Sequence, residues 1–213
     1  MDPKRFAREL PRLFDDYPRS EHPRDRRFAP ILAEVGGLAR ENNLALLNLA
    51  ASLLDDGESY VEVGSFKGLS LIAAMLGNEG DFVGIDDFSM GGGSRKRCEV
   101  NLRRYDLSGY TLLEGDAFAL LRGGALGGRR IGVYYYDAAH DYESQAEGLR
   151  LVELYLAEDA LVIVDDTDWD QVARAMRDYL AGRPRAELLV ELGGKDRGQP
   201  WWWEGVQVVR WRT

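Results

Sequence analysis

"YVEVGSFKGLSLIAA", residues 60–74, runs from an apolar stretch through two glycines into a helical pattern with no spacer between. Tyr60, Val61 and Val63 are strand formers, and Glu62 is the single acid among them. Gly64 and Gly68 bracket the loop, and Ser70 falls in the first turn of the helix that follows. A strand that turns through glycines into a helix brings backbone N–H groups close to a ligand. The spacing narrows the choice of ligand. A dinucleotide loop requires G-x-G-x-x-G and a phosphate loop requires G-x-x-x-x-G-K-[ST]. Here Ser65, Phe66 and Lys67 separate the two glycines, so neither pattern is present. The other glycine-rich stretch, "MGGGSRKR" at 90–97, does not directly follow a strand and reads as a flexible loop.

Outward from this unit, strand and helix alternate. Apolar, β-rich runs fall at about 59–63, 81–85, 110–114, 131–136 and 160–164, with helical patterns between them. "YESQAEGLRLVELYL" aligns Tyr142, Ala146, Leu149, Val152 and Leu156 on one stripe, and "WDQVARAMRDYL" aligns Trp169, Val172, Met176 and Leu180. Such alternation implies βαβ units and a mostly parallel sheet. "AELLVEL" and "EGVQVVRWR" are separated by "GGKDRGQPWWW", too short for a helical crossover, which predicts an antiparallel hairpin at one sheet edge. Upstream, helices are expected at roughly 29–40 and 43–55, behind a charge-rich arm with prolines at 3, 11, 18 and 23. The expected architecture is a doubly wound, Rossmann-like α/β domain with seven strands. Residues 1–56 form an N-terminal arm and helices that cap it, and residues 57–213 form the ligand-binding domain.

Composition removes several classes of function. The formal net charge is −9, from 27 basic and 36 acidic residues, which argues against general nucleic-acid binding and favours a cationic ligand. One cysteine, Cys98, excludes an internal disulfide or a thiolate zinc cluster. No apolar run approaches a membrane span and no signal region is visible, so a cytoplasmic location is expected.

Ligands of doubly wound sheets bind beyond the carboxyl ends of the strands. The sequence places acids there repeatedly: Glu62, Asp86, Asp116, Asp137 and the pair Asp165-Asp166. Asp86 lies 22 positions after Gly64, near the spacing at which an acid binds ribose hydroxyls. Each acid taken alone also suits a turn or a helix cap. Gathered at one edge, like charges repel unless a cation or donors lie between them. A ligand with ribose hydroxyls, an exocyclic amine and positive charge fits better than pyrophosphate.

"VEVGSFKGLSL", "VGIDDFS", "LLEGDAFALL", "YYYDAAHDYES" and "LVIVDD" together resemble the successive motifs of class I S-adenosylmethionine-dependent methyltransferases. They are closest in pattern to the bacterial small-molecule O-methyltransferase branch, whose fourth and fifth strands end in D-x-x-H-x-Y and D-D. The resemblance spans about residues 42–182. It implies that Gly64, Ser65 and Gly68 face the methionine part of S-adenosylmethionine, with Ser70 at its carboxylate and Glu62 and Asp137 near its charged end. It also implies Asp86 on the ribose and Asp116 on the adenine amine. The metal-dependent, catechol-type relatives place an Asp after strand four, a basic residue three positions on, and an acid–amide pair after strand five. Asp137, His140 and Asp165-Asp166 stand at the matching places, with His for the usual Lys and Asp for the usual Asn. This implies Mg2+ or another divalent cation on Asp137, Asp165 and Asp166, with His140 as the base and Asp137 beside it in catalysis. The implied activity is methyl transfer to a hydroxyl of a small molecule. A nucleotide-dependent oxidoreductase and a non-catalytic methyltransferase-like binding module remain open alternatives. A homodimer through the N-terminal helices is the expected assembly. Trp201, Trp202 and Trp203 are expected to pack rather than to bind ligand.

Overall fold

The computed structural model describes residues 1–213. Its helices are α1 (Pro3–Glu9), α2 (Phe28–Val35), α3 (Glu41–Ala51), α4 (Leu69–Met75), α5 (Arg95–Arg104), α6 (Ala117–Arg122), α7 (Tyr142–Val152) and α8 (Asp170–Gly182). The strands are β1 (Glu58–Val63), β2 (Asp81–Asp86), β3 (Tyr110–Glu114), β4 (Arg130–Tyr136), β5 (Leu156–Asp165), β6 (Ala186–Leu192) and β7 (Val206–Arg212). They form one sheet in the order β3-β2-β1-β4-β5-β7-β6. The first five run parallel, and β7 inserts antiparallel between β5 and β6.

Burial explains why the central strands read as nearly unbroken apolar runs. All six residues of β1 are buried, because helices cover both faces of a doubly wound sheet. One core lies on the α3–α4 side and takes in Phe6, Leu10 and Phe14 of the N-terminal arm. The other lies under α7 and α8 and includes Tyr134, Tyr136, Leu149 and Met176. No helix is long and apolar enough to cross a membrane.

Several boundaries differ from the sequence reading, and α3 ends at Ala51, not near 55. The helix expected over 29–40 stops at Val35, because Gly36 adopts φ +66 and ends it. Helix α7 ends at Val152, so Leu156 opens β5 instead of closing the helical stripe. Strand β5 starts four residues early because its polar segment is paired: Arg210 on β7 bonds Asp159 at 2.8 Å through Nε. The tryptophan segment packs, as expected. The indole N–H groups of Trp201 and Trp202 both donate to the Pro18 carbonyl, at 2.7 and 2.8 Å, and Trp202 is fully buried against Phe14 and Tyr17.

The strand order reverses between β1 and β4, where the chain continues on opposite sides of the sheet. That is the switch point at which such folds open a crevice. Gly64 N–H donates to Ile85 O at 2.9 Å and Asp137 N–H donates to Val63 O at 2.9 Å, so both strand-end loops stay stitched to the sheet.

Candidate active site

A cavity of about 430 Å3 opens at this switch point, within the usual range for a small-molecule site. Its wall includes Gly64, Ser65, Gly68's neighbours Lys67 and Leu69, and Ser70 from the glycine loop and α4. Asp86, Asp116, Asp137, His140 and Asp166 also line it. Glu62, Gly68 and Asp165 do not line it.

The glycine loop has a geometric reason at each end. Gly64 adopts φ +100, and a Cβ there would lie 1.7 Å from the Asp137 carbonyl oxygen. Only glycine allows β1 and β4 to bring their loops this close. Gly68 adopts φ +85, and its missing Cβ leaves room for the Cys98 sulfur. Between them, Phe66 takes φ +47. Asp86 holds that bend: its Oδ2 accepts from Phe66 N–H at 2.6 Å, and its Oδ1 accepts from Phe88 N–H at 2.5 Å. Asp86 therefore fixes two loops of the cavity rim in addition to facing the cavity. Strand β3 stops at Glu114, and Asp116 is the N-cap of α6, its Oδ1 accepting from Ala119 N–H at 2.6 Å. The capping role and a place on the cavity wall coexist in this residue.

Glu62 is fully buried behind the glycine loop. Burial pushes its carboxyl up to about 7, against the opposing pull of the nearby Ser65, Ser70 and Tyr60 hydroxyls. Tyr60 donates to Oε2 at 3.0 Å, while Oε1 has no hydrogen-bond partner.

Across the cavity, the acids after β4 and β5 sort themselves by the two-residue alternation of strands. Tyr135 and Asp137 share one face, and the Tyr135 hydroxyl donates to Asp165 Oδ2 at 2.6 Å and lies 3.2 Å from Asp137 Oδ2. Asp165 is thereby committed to the interior. Asp166 adopts φ +55, a conformation that aspartate tolerates better than most residues, and its Oδ2 meets His140 Nε2 at 2.5 Å. Ligand atoms of Asp137, His140 and Asp166 all lie within 4.8 Å of one another. Asp137, His140 and Asp166 thus form a group that could hold a metal ion; Asp165, expected beside Asp137 and Asp166, is not part of it. Trp169 stacks beside His140 with ring centroids 4.8 Å apart and is 49 % exposed.

Electrostatics in this corner are unbalanced. Burial, then the Asp166 charge, raises Asp137 above the usual carboxylate range; burial, then Asp137, does the same to Asp165. Contact with Asp166 raises His140, against the effect of burial. Asp166 Oδ1 is buried with no partner. Five aspartates line the cavity (86, 87, 116, 137 and 166) against one lysine, Lys67, whose ammonium sits 4.7 Å over the Phe66 ring.

Two contributors were not visible in the sequence. Tyr135 reads as core, and only the strand alternation beside Asp137 hints that its hydroxyl meets the acids. Asn43, on the α3 part of the wall, carries no sequence signal.

The family model described as a methyltransferase domain matches residues 61–167. The chain belongs to that family, as a class I S-adenosylmethionine-dependent methyltransferase. A search of curated proteins finds no match. Among solved structures, the fold is similar to that of the O-methyltransferase TomG from Streptomyces achromogenes, involved in tomaymycin synthesis and in complex with SAM, with TM-score 0.67, 18 % identity and 100 % of each chain covered. It is also similar to an O-methyltransferase from Bacillus cereus in complex with SAH, with TM-score 0.66, 16 % identity, and 89 % and 92 % of the two chains covered. The SAH-bound methyltransferase PaMTH1 from Podospora anserina gives TM-score 0.61 and 15 % identity, over 99 % and 95 % of the two chains.

Proposed function

We propose that this chain transfers the methyl group of S-adenosylmethionine to a hydroxyl of a small molecule, with a divalent ion held by Asp137, His140 and Asp166. The observation that carries the reading is the charge of the cavity. Five aspartates and one lysine line it, so a ligand with a sulfonium and an ammonium group enters favourably where an anionic one does not. The O-methyltransferases of similar fold from Bacillus cereus and Streptomyces achromogenes support oxygen as the accepting atom. Family membership removes the nucleotide-dependent oxidoreductase.

Within this reading, the Gly64–Gly68 loop with Ser65 and Ser70 holds the amino-acid end of the cofactor, and Asp86 and Asp116 hold the nucleoside. Glu62 acts one layer back, behind Ser65 and Ser70. Asp137, His140 and Asp166 fit a divalent ion by their chemistry: two carboxylates and an imidazole converge, one buried carboxylate oxygen has no partner, and no lysine or arginine separates them. A bound ion lowers the pKa of an acceptor hydroxyl and orients it. An imidazole in the set favours Mn2+, Co2+ or Zn2+ over the Mg2+ that three carboxylates would suit. His140 serves as ligand when the ion is present, so the separate base role expected of it falls away in that state. Asp137 would be a second ligand of that ion. Trp169 offers an exposed flat surface beside His140 for an apolar acceptor. Residues 1–56 act as the cap that closes the cavity from the α3 side.

The test is turnover. The chain is incubated with S-adenosylmethionine and a panel of catechol, phenol and sugar hydroxyl acceptors, and S-adenosylhomocysteine release is followed. Asp137→Ala should abolish release. A folded chain that binds the cofactor and shows no turnover with any acceptor, with and without Mn2+, would favour the non-catalytic binding module.

A further inference from the structure

The wall that α3 contributes to the cavity contains one side chain that its surroundings do not explain. Asn43 lines the cavity, is 3 % exposed, and neither its Oδ1 nor its Nδ2 has a hydrogen-bond partner. The other asparagines of the same helix are each partnered through at least one head-group atom, although Asn42 Oδ1 also has no partner. Asn42 donates to Ser20 O at 2.8 Å. Asn48 donates to Ala73 O and Leu76 O at 2.7 and 2.8 Å, and accepts from Arg27 at 2.7 Å. Among the cavity-lining residues, Asn43 alone has both head-group atoms unpaired; Ser65 Oγ, Asp166 Oδ1 and His140 Nε2 each lack a hydrogen-bond partner singly, and the last of these faces Asp166 Oδ2 as an ion pair. Burying an amide with no partner is unfavourable, and leucine would fill the same space without that penalty. A buried polar group of this kind calls for a partner that arrives with a ligand.

The chemistry of the group says what the partner is. A carboxamide presents an acceptor and a pair of donors side by side, the complement of an ammonium next to a carboxylate. The same cavity is lined by Leu44 and Leu47 from α3 and Leu69 and Ser70 from α4, two helices that pack against each other. The buried, unpaired hydroxyl of Ser65 belongs to the adjoining loop.

We propose that Asn43 is a specificity residue for the amino-acid end of the methyl donor, its Oδ1 accepting from the ammonium group and its Nδ2 donating to the carboxylate. This rests on the cofactor reading above and adds to it a residue outside the glycine-loop and strand-end motifs.

Two probes separate the claims. S-adenosylhomocysteine carries the amino-acid end, and 5′-methylthioadenosine keeps the nucleoside and thioether but lacks it. Calorimetric affinities for both, and the thermal midpoint of the ligand-free chain, are measured for wild type, Asn43→Leu and Asn43→Ser. The expected result is that Asn43→Leu weakens S-adenosylhomocysteine at least about tenfold and leaves methylthioadenosine within about twofold, the loss expected when ligand polar groups go unpaired. The ligand-free midpoint of Asn43→Leu should rise by a few degrees, because two unpaired buried atoms are gone. Asn43→Ser, which keeps one polar atom and less volume, should lose the same selectivity. Equal losses for both probes, or no loss for either, overturn the proposal. So does an unchanged S-adenosylhomocysteine affinity with a raised KM for the acceptor, which would move Asn43 to the acceptor side. A wild-type chain that binds neither probe overturns the cofactor reading instead.

Discussion

Replacing Glu62 by glutamine should stabilise the ligand-free protein at alkaline pH and make little difference at acid pH. Glu62 is fully buried, and burial raises its carboxyl from 4.5 to about 7. Between those two values the folded chain holds a proton that the unfolded chain has released. Stability therefore falls as pH rises across this window, by about 1.4 kcal/mol per unit at most, and levels off above pH 7. The full difference is about 3 kcal/mol, of which about 2.5 lies between pH 5 and pH 8. Glutamine never ionises, and its carbonyl can still accept the Tyr60 hydroxyl that bonds Oε2. The assay is urea unfolding of wild type and Glu62→Gln at pH 5 and pH 8, compared as a difference of differences so that other titrating groups cancel. The variant should gain about 2.5 kcal/mol on wild type between the two conditions. A pH-independent difference, or a variant that loses ground as pH rises, would refute the claim that Glu62 sits buried without a compensating charge.

Gly64→Ala should cost at least about 3 kcal/mol, measured by chemical denaturation, because its Cβ would lie 1.7 Å from the Asp137 carbonyl oxygen and the backbone sits at φ +100. Trp202→Ala should cost about 3–5 kcal/mol and open the arm around Pro18 to limited proteolysis, since it removes a fully buried indole and a donor to that carbonyl. Activity should disappear in chelator and return with Mn2+ or Co2+ more fully than with Mg2+, while Asp166→Asn should respond weakly to any ion. Full activity in chelator would remove the ion from the account.

How much of this was legible in the sequence follows from which forces act locally. The strands β1 to β4 and the hairpin could be read because doubly buried strands must be apolar and because a short connection cannot cross over. The start of β5 could not be read, because Glu158 and Asp159 look like loop residues until Arg210 arrives from β7. The cavity acids were legible as a set, since strand ends and switch points are fixed by topology. Their individual partners were not. Asp165 and Asp166 are adjacent in sequence, and only the left-handed turn at Asp166 sends one to His140 while Tyr135 retains the other. The same limit hid the layer in which Glu62 lies, one shell behind the wall. Asn43 was invisible because one asparagine of three in the helix becomes informative only when its lack of partners is known.

The central claim is that a cavity walled by aspartates holds a cationic methyl donor, and calorimetric titration of the folded chain with S-adenosylmethionine and S-adenosylhomocysteine tests it most directly. Saturable one-to-one binding of both is expected, weakened at least about tenfold in Asp86→Ala, which removes a cavity carboxylate and the acceptor that holds Phe66 and Phe88. A chain with the circular dichroism and cooperative melting of a folded α/β protein that gives no binding heat with either ligand would contradict it.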